Sequence, residues 1–391
     1  MPKIFDGHND SFTRHYPPRH LRRRPLKPYS FLEREEVYSH LDLPRALEAD
    51  FKGGLFAIFI DPPLAEETEP APSGPRARSQ AKFPPLDPPI DGELALRATL
   101  EVLGYVFRAE RASAGKMRIV TNSRQLEEAW RSPALTVVLH LEGCEALDGD
   151  LNSLETLYRA GVRSLGPCWS RPNIFGVGVP FAYPASPDQG PGLTEAGRRL
   201  VARCGELGIL LDCAHLNAQG FYDIAALSPK PLVSSHTSAH TLSPSARGLD
   251  EKQLEKIAAS GGLVGVTFNV PDLIGPLGQD AATIPYPQEL YAASPKGLAK
   301  LVKEKRPHRP LSELEALLSH IIYLGKRLGF EHVALGSDFD GCLIPDQIAG
   351  VQEIQKVPQA LAQIGLSQGE IEQICHRNWR RVLQTTWGPA F

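Results

Sequence analysis

Short apolar runs that end, one after another, on a histidine or a carboxylate are the feature of this chain that most restricts its fold. Ile4 to Phe5 precedes His8 and Asp10, and Leu135 to Leu141 precedes Glu142. Ile209 to Leu211 precedes His215, Leu232 to Val233 precedes His236, and Val333 to Leu335 precedes Asp338. Three further runs, Leu55 to Ile60, Arg163 to Leu165 and Leu263 to Phe268, bring the expected strands to eight. Helical patterns separate them. Ser312 and Glu315 make a capping box ahead of Leu314, Leu317, Leu318, Ile321 and Ile322, and Gly329 closes that helix. Strands alternating with helices predict an α/β fold with a parallel sheet, here a (β/α)8 TIM barrel of the metal-dependent hydrolase (amidohydrolase-like) type. In a barrel the C-terminal strand ends converge on one mouth, so residues far apart in sequence become neighbours.

A chain of 391 residues fits a single barrel domain over 1–391. Nine prolines between Asp61 and Asp91 predict an irregular excursion at about 61–91. The segments at about 170–191 and 270–310 follow strand ends and are expected to wall the active site. A net charge of −3 leaves no basic footprint, which argues against nucleic acid and against anionic membranes as partners. With no leader pattern and no apolar stretch of membrane-spanning length, the expectation is a soluble, cytoplasmic protein. Six cysteines without a C-x-x-C pair point to reduced thiols.

The strand-end residues suit divalent metals. Neutral imidazoles and carboxylates bind zinc with a position left open for water, and a carboxylate can bridge two ions. His8 and Asp10, two apart on an extended segment, point to one side and can grip one ion; a turn held by an Asx hydrogen bond is the alternative. Glu142 ends a strand of valine and leucine, where an unpaired carboxylate costs several kcal/mol, roughly, so it needs a metal or a neighbouring arginine. His215 and His236 end consecutive strands and singly read as core histidines, but with His8 and Asp10 they read as ligands. Asp338 should look into the mouth, while Asp340 should shape the turn into Gly341.

Asp6-Gly7-His8-Asn9-Asp10, Glu142-Gly143, Asp212-Cys213-Ala214-His215, Ser235-His236-Thr237-Ser238, Arg247, Gly336 to Gly341 and Asn378 to Leu383 occur in an order that resembles the membrane (renal) dipeptidase family, zinc peptidase family M19, in its bacterial form. The resemblance implies a metallo-dipeptidase with two Zn2+ ions, His8 and Asp10 on one, His215 and His236 on the other, Glu142 bridging, and a metal-bridging hydroxide as nucleophile. It further implies that Asp338 shuttles the proton and that Arg247 binds the substrate's terminal carboxylate by a bidentate fork, a surface ion pair with Asp250 or Glu251 being the alternative for Arg247. A small peptide is the expected partner, and a homodimer is compatible. Two departures stand out. Pro167 occupies the place of a histidine that in animal relatives helps bind the scissile carbonyl, leaving Arg171, Asn173 or Trp169 as substitute donors, and the secreted, lipid-anchored arrangement of those relatives is not expected here. His240 has no ligand counterpart in the family. Competing functions are another binuclear-metal amidohydrolase, such as an N-acyl-amino-acid deacylase or lactonase, and a non-catalytic peptide-binding barrel.

Overall fold

Nine parallel strands and their crossover helices organise the computed structural model, which describes residues 1–18, 30–61, 86–278, 283–304 and 310–388. The strands are β1 (Ile4–Asn9), β2 (Phe51–Phe59), β3 (Met117–Ile119), β4 (Leu135–Glu142), β5 (Val162–Gly166), β6 (Leu210–Leu211), β7 (Val233–Thr237), β8 (Leu263–Thr267) and β9 (Val333–Gly336). One sheet runs β1-β2-β4-β5-β6 and a second runs β7-β8-β9. Parallel bridges join them at both seams, Asp212 to Val233 between β6 and β7 and Asn9 to Phe339 between β1 and β9. Backbone hydrogen bonds from Cys213 N to Val233 O (2.8 Å) and from Asp338 N to His8 O (2.9 Å) close the ring of eight. The expected barrel is therefore present. The additional strand, β3, lies along the start of β4, pairing Met117–Ile119 with Leu135–Val137. Sequence reading passes over it because three residues, with only Met117 buried, show no periodicity.

The interior follows from period-two alternation. Phe5, Leu55, Val138, Leu210, Val233, Leu263 and Ala334 meet inside the ring with Trp379 of the C-terminal helix Asn378–Trp387. Val137, Leu139 and Leu141 face the helices instead. On β4 the inward face is thus Val138, His140 and Glu142, apolar at the floor and polar at the mouth. Trp379 seals the floor and donates from Nε1 to Leu335 O at 2.9 Å. Gly7 has to be a glycine here: a Cβ would fall 2.4 Å from Ser235 O and 2.5 Å from Trp379 Cζ2.

Helix Glu313–Leu328 starts at the predicted capping box and stops at Gly329, whose φ of 99° needs no Cβ. No described helix is long and apolar enough to cross a membrane. Residues 62–85 of the proline-rich excursion lie outside the described residues. The segment 270–310, expected as a loop, is largely helical where described: Val270–Ile274, Pro287–Ala292 and Pro295–Glu304. The six cysteines are free and mostly buried.

Candidate metal centre

Glu142, the last residue of β4, stands at the middle of the mouth with its two carboxylate oxygens turned in different directions. Oε2 lies 3.4 Å from His8 Nε2. Oε1 lies 3.1 Å from His215 Nε2 and 3.6 Å from His236 Nε2. His8 Nε2 is also 3.5 Å from Asp10 Oδ2. Two clusters result, His8–Asp10–Glu142 and Glu142–His215–His236, each with its ligand atoms within 4.8 Å of one another. The five residues read from the sequence converge, and all are buried.

Local backbone irregularity brings them there. β1 shifts register between Asp6 and Asn9, and β7 between Ser234 and Thr237, each at a site histidine. Such shifts re-aim side chains at barrel rims. His215 and Asp338 lie just beyond strand ends with φ of 66° and 58°, a left-handed conformation uncommon for residues with a Cβ and concentrated at functional sites.

The electrostatics are those of a cation site. Burial pushes His215 down to about 3, reinforced by the Arg247 charge, and pushes His236 well below its ordinary value, so both imidazoles are neutral with lone pairs available. Their Nε2 atoms stand 2.9 Å apart, facing one point beside Glu142 Oε1. Ser170 Oγ and Ser235 Oγ hold their Nδ1 atoms, each at 2.8 Å, and so orient both rings. Burial opposes protonation of His8, yet Glu142 and Asp10 outweigh it and raise His8 well above normal. Burial and Glu142 push Asp10 up to about 6, and burial with the nearby carboxylates raises Asp338 well above the carboxylate range. Both ring nitrogens of His8 and Oδ1 of Asp10 are buried without a hydrogen-bond partner. Orphaned donor atoms among crowded acids are what a divalent cation would neutralise. The donor set of imidazole and carboxylate fits zinc.

A supporting layer escaped the sequence reading. Asp212 accepts from Ser235 N at 2.8 Å, Ala214 N at 3.0 Å and Ser235 Oγ, so one carboxylate fixes the serine that orients His236. His140 lies beneath, with Nδ1 2.9 Å from Ser164 Oγ and Nε2 3.6 Å from Asp212 Oδ2. The inward parity of β4 was the available signal for His140. Asp6 accepts from Ser337 N (2.7 Å) and Ser337 Oγ (2.8 Å), tying β1 to the strand end that carries Asp338.

A cleft of about 740 Å3 opens over the cluster, lined by Asp10, Glu142, His215, Arg247 and Asp338 among others. Arg247 is buried, donates from Nη2 to His236 O at 3.2 Å and leaves Nε unpaired. The alternative ion pair is not formed. Asp250 caps helix Glu251–Ala259, and Glu251 pairs with Arg327 at 2.8 Å. Asp340 lies in the turn into Gly341, as expected, with φ of 69°, and its side chain also accepts from Ser11 Oγ (2.7 Å), Ser39 Oγ (3.1 Å) and His40 N (2.6 Å), pinning the 39–40 segment across the mouth. Two of the substitute donors for Pro167 are also engaged elsewhere. Arg171 Nε binds Glu145 and Asn173 Nδ2 binds Pro167 O, which leaves Trp169 at the cleft. His240 faces Ser245 O and belongs to neither cluster.

The sequence model of the membrane dipeptidase family, peptidase family M19, matches residues 2–387. The chain belongs to this family. Two solved M19-like structures superpose over nearly the whole barrel: dipeptidase AC, a metallopeptidase of family M19, at 36% identity and TM-score 0.81 with 99% of each chain covered; and a metallopeptidase from Rhodobacter sphaeroides liganded with a phosphinate mimic of the dipeptide L-Ala-D-Ala, at 36% and 0.81, covering 99% of this chain and 100% of that one. A Klebsiella pneumoniae protein named for its place in the pqqA 5' region is 36% identical over 70% of this chain and 91% of its own length. Membership of the M19 family makes the protein a metallopeptidase and gives the mouth of the barrel its meaning.

Proposed function

We propose that this protein is a zinc-dependent dipeptidase whose two ions are held by His8, Asp10 and Glu142 on one side and by Glu142, His215 and His236 on the other. The observation that carries the binuclear reading is the orientation of Glu142, one oxygen toward each group. Support for a dipeptide substrate comes from the family and from the L-Ala-D-Ala mimic bound by the Rhodobacter relative. When bound, two zinc ions supply Lewis acidity and lower the pKa of water to roughly 7 or below.

The protein's own residues do the rest. Arg247, buried at the cleft wall with an unpaired Nε, binds the terminal carboxylate of the substrate. Asp338, within ligand reach of His8 and His236, receives the proton of the attacking water and delivers it to the leaving nitrogen as the C–N bond breaks and the new C–O bond forms. Metal analysis of the purified protein combined with a panel of dipeptides, dipeptide amides and N-acyl amino acids tests the reading. Two zinc equivalents and selective cleavage of free-acid dipeptides are expected; preferred cleavage of N-acyl amino acids would establish a deacylase instead.

A further inference from the structure

The two halves of the cleft differ in chemistry. From β7 through β9 to β1 it presents Arg247, Asp272, Asp338 and Asp10. From β2 to the segment after β5 it presents the rings of Phe59, Trp169 and Phe181, with the carboxylate of Asp61 beside Phe59 and that of Glu142 at the centre. These rings meet in series, Phe59 to Trp169 at 4.9 Å and Trp169 to Phe181 at 5.4 Å between centroids, and Trp169 continues to His215 at 5.6 Å. In a ring of eight, β2 lies opposite β7, so Phe59 faces the Arg247 side across the mouth.

Behind this aromatic wall lies Arg171, fully buried and not among the residues lining the cleft. A buried guanidinium is costly unless paired and hydrogen-bonded. Its Nε donates to Glu145 Oε1 at 2.7 Å and its Nη2 donates to Ile60 O at 2.7 Å. Ile60 follows Phe59 directly, Glu145 lies three residues beyond Glu142, and Arg171 itself follows β5. One side chain thus joins three adjacent strand ends. The guanidinium carbon also lies 5.2 Å from the Phe59 ring centroid and 5.0 Å from that of Trp169, within cation–π range of both. On the other side Glu145 presses on the backbone after Glu142: a Cβ at Gly143 would fall within 2.4 Å of its Oε2.

We propose that Phe59, Trp169 and Phe181 form the pocket for the side chain of the substrate's N-terminal residue, and that Arg171 with Glu145 is the positioning pair that sets its shape. The protein then prefers dipeptides that begin with a large apolar residue. This rests on the dipeptidase reading, because a carboxylate at Arg247 and a scissile carbonyl over Glu142 leave the N-terminal residue on the β2–β5 side. Arg171 acts through the rings and does not touch substrate.

The test is the ratio of kcat/KM for Leu-Gly and Phe-Gly to that for Gly-Gly, at matched metal content. The native protein should show a ratio of at least roughly tenfold, the range that apolar side-chain burial supplies. Phe181 is 54% exposed, so Phe181→Ala should fold; it should lower the ratio several-fold, through KM rather than kcat, as expected when uniform binding is lost. Arg171→Lys should lower the ratio too, although it keeps the charge, because one ammonium nitrogen cannot take the places of both Nε and Nη2 and lacks the planar group that lies against the rings. Where Arg171→Lys does not fold, Glu145→Asp, shorter by one methylene, reads the same ratio. A flat N-terminal preference in the native protein, or a ratio unchanged in Phe181→Ala and Arg171→Lys, would overturn this inference while leaving the dipeptidase reading intact. Cleavage of no dipeptide at all would overturn both.

Discussion

Glu142 concentrates the argument in one side chain, and its substitution separates metal binding from folding. Glu142→Gln keeps size and hydrogen-bonding capacity but removes the negative charge facing both histidine groups, so the purified variant should carry fewer than the two zinc equivalents expected of the native protein. Retention of both ions with full turnover would show that Glu142 is not the bridge. Asp338→Asn should keep the metals, because the two ligand clusters are complete without it, and should slow turnover by roughly 10²-fold to 10⁴-fold, the range for a lost proton-transfer group. Arg247→Ala should remove most of the discrimination between dipeptides and their C-terminal amides. A charge-assisted fork is worth about 1.5–3 kcal/mol, so the acid-to-amide ratio of kcat/KM should fall by roughly tenfold to a hundredfold. These residues were legible in the sequence because a barrel puts strand ends together and because charged groups at the ends of buried strands need a reason. The supporting roles of Asp212, His140 and Arg171 were not. Their partners, Ser235, Ser164 and Glu145, are 23, 24 and 26 residues away, and no periodicity encodes such a distance.

At the level of strands, apolar runs located all eight members of the ring but not the way they place their side chains. A run of two apolar residues, Ile4 to Phe5, becomes the six-residue strand β1, since Asp6, Gly7, His8 and Asn9 continue the ladder once β2 and β9 flank them. The register shifts that turn His8 and His236 inward leave no mark in a sequence, because they arise only when a strand pairs with its neighbours. The left-handed backbone at His215 and Asp338 is nearly as silent: histidine and aspartate are enriched in that region, but most of them adopt ordinary backbone angles. Gly7 is the exception, a position where sequence and packing state the same constraint. Trp379 is anchored by its bond to Leu335 O and Ser235 O belongs to β7, so neither can retreat from a methyl group. Gly7→Ala should therefore destabilise the fold by about 1–3 kcal/mol or more, read as a lower urea midpoint at unchanged m-value.

Across the molecule, buried histidines make stability depend on pH, and His320 isolates the effect because it lies in helix Glu313–Leu328, remote in sequence from the proposed ligands. Its Nδ1 accepts from Ala239 N at 3.1 Å and its Nε2 donates to Leu273 O at 3.0 Å, so the neutral ring joins that helix to the segments that follow β7 and β8. Protonation would put a second donor against the Ala239 N–H inside the core. Burial accordingly pushes His320 down from 6.5 to about 4. Between those values the unfolded chain binds the proton and the folded one does not. Its contribution is therefore complete above pH 6.5 and is lost as pH falls toward 4, a difference of about 3 kcal/mol for a fully buried group. Other groups act in the same window with both signs: His140, depressed to about 4 by burial, adds to the acid loss, while Asp6, raised to about 6 by burial, opposes it. The total acid slope therefore identifies no single residue, and a difference measurement does. His320→Asn can keep an acceptor for Ala239 N and cannot titrate. Urea unfolding of the metal-free protein should show this variant less stable than the native chain at pH 7, with the gap closing by about 2–3 kcal/mol near pH 4. A gap that stays constant from pH 7 to 4 would mean that His320 does not resist protonation in the folded protein.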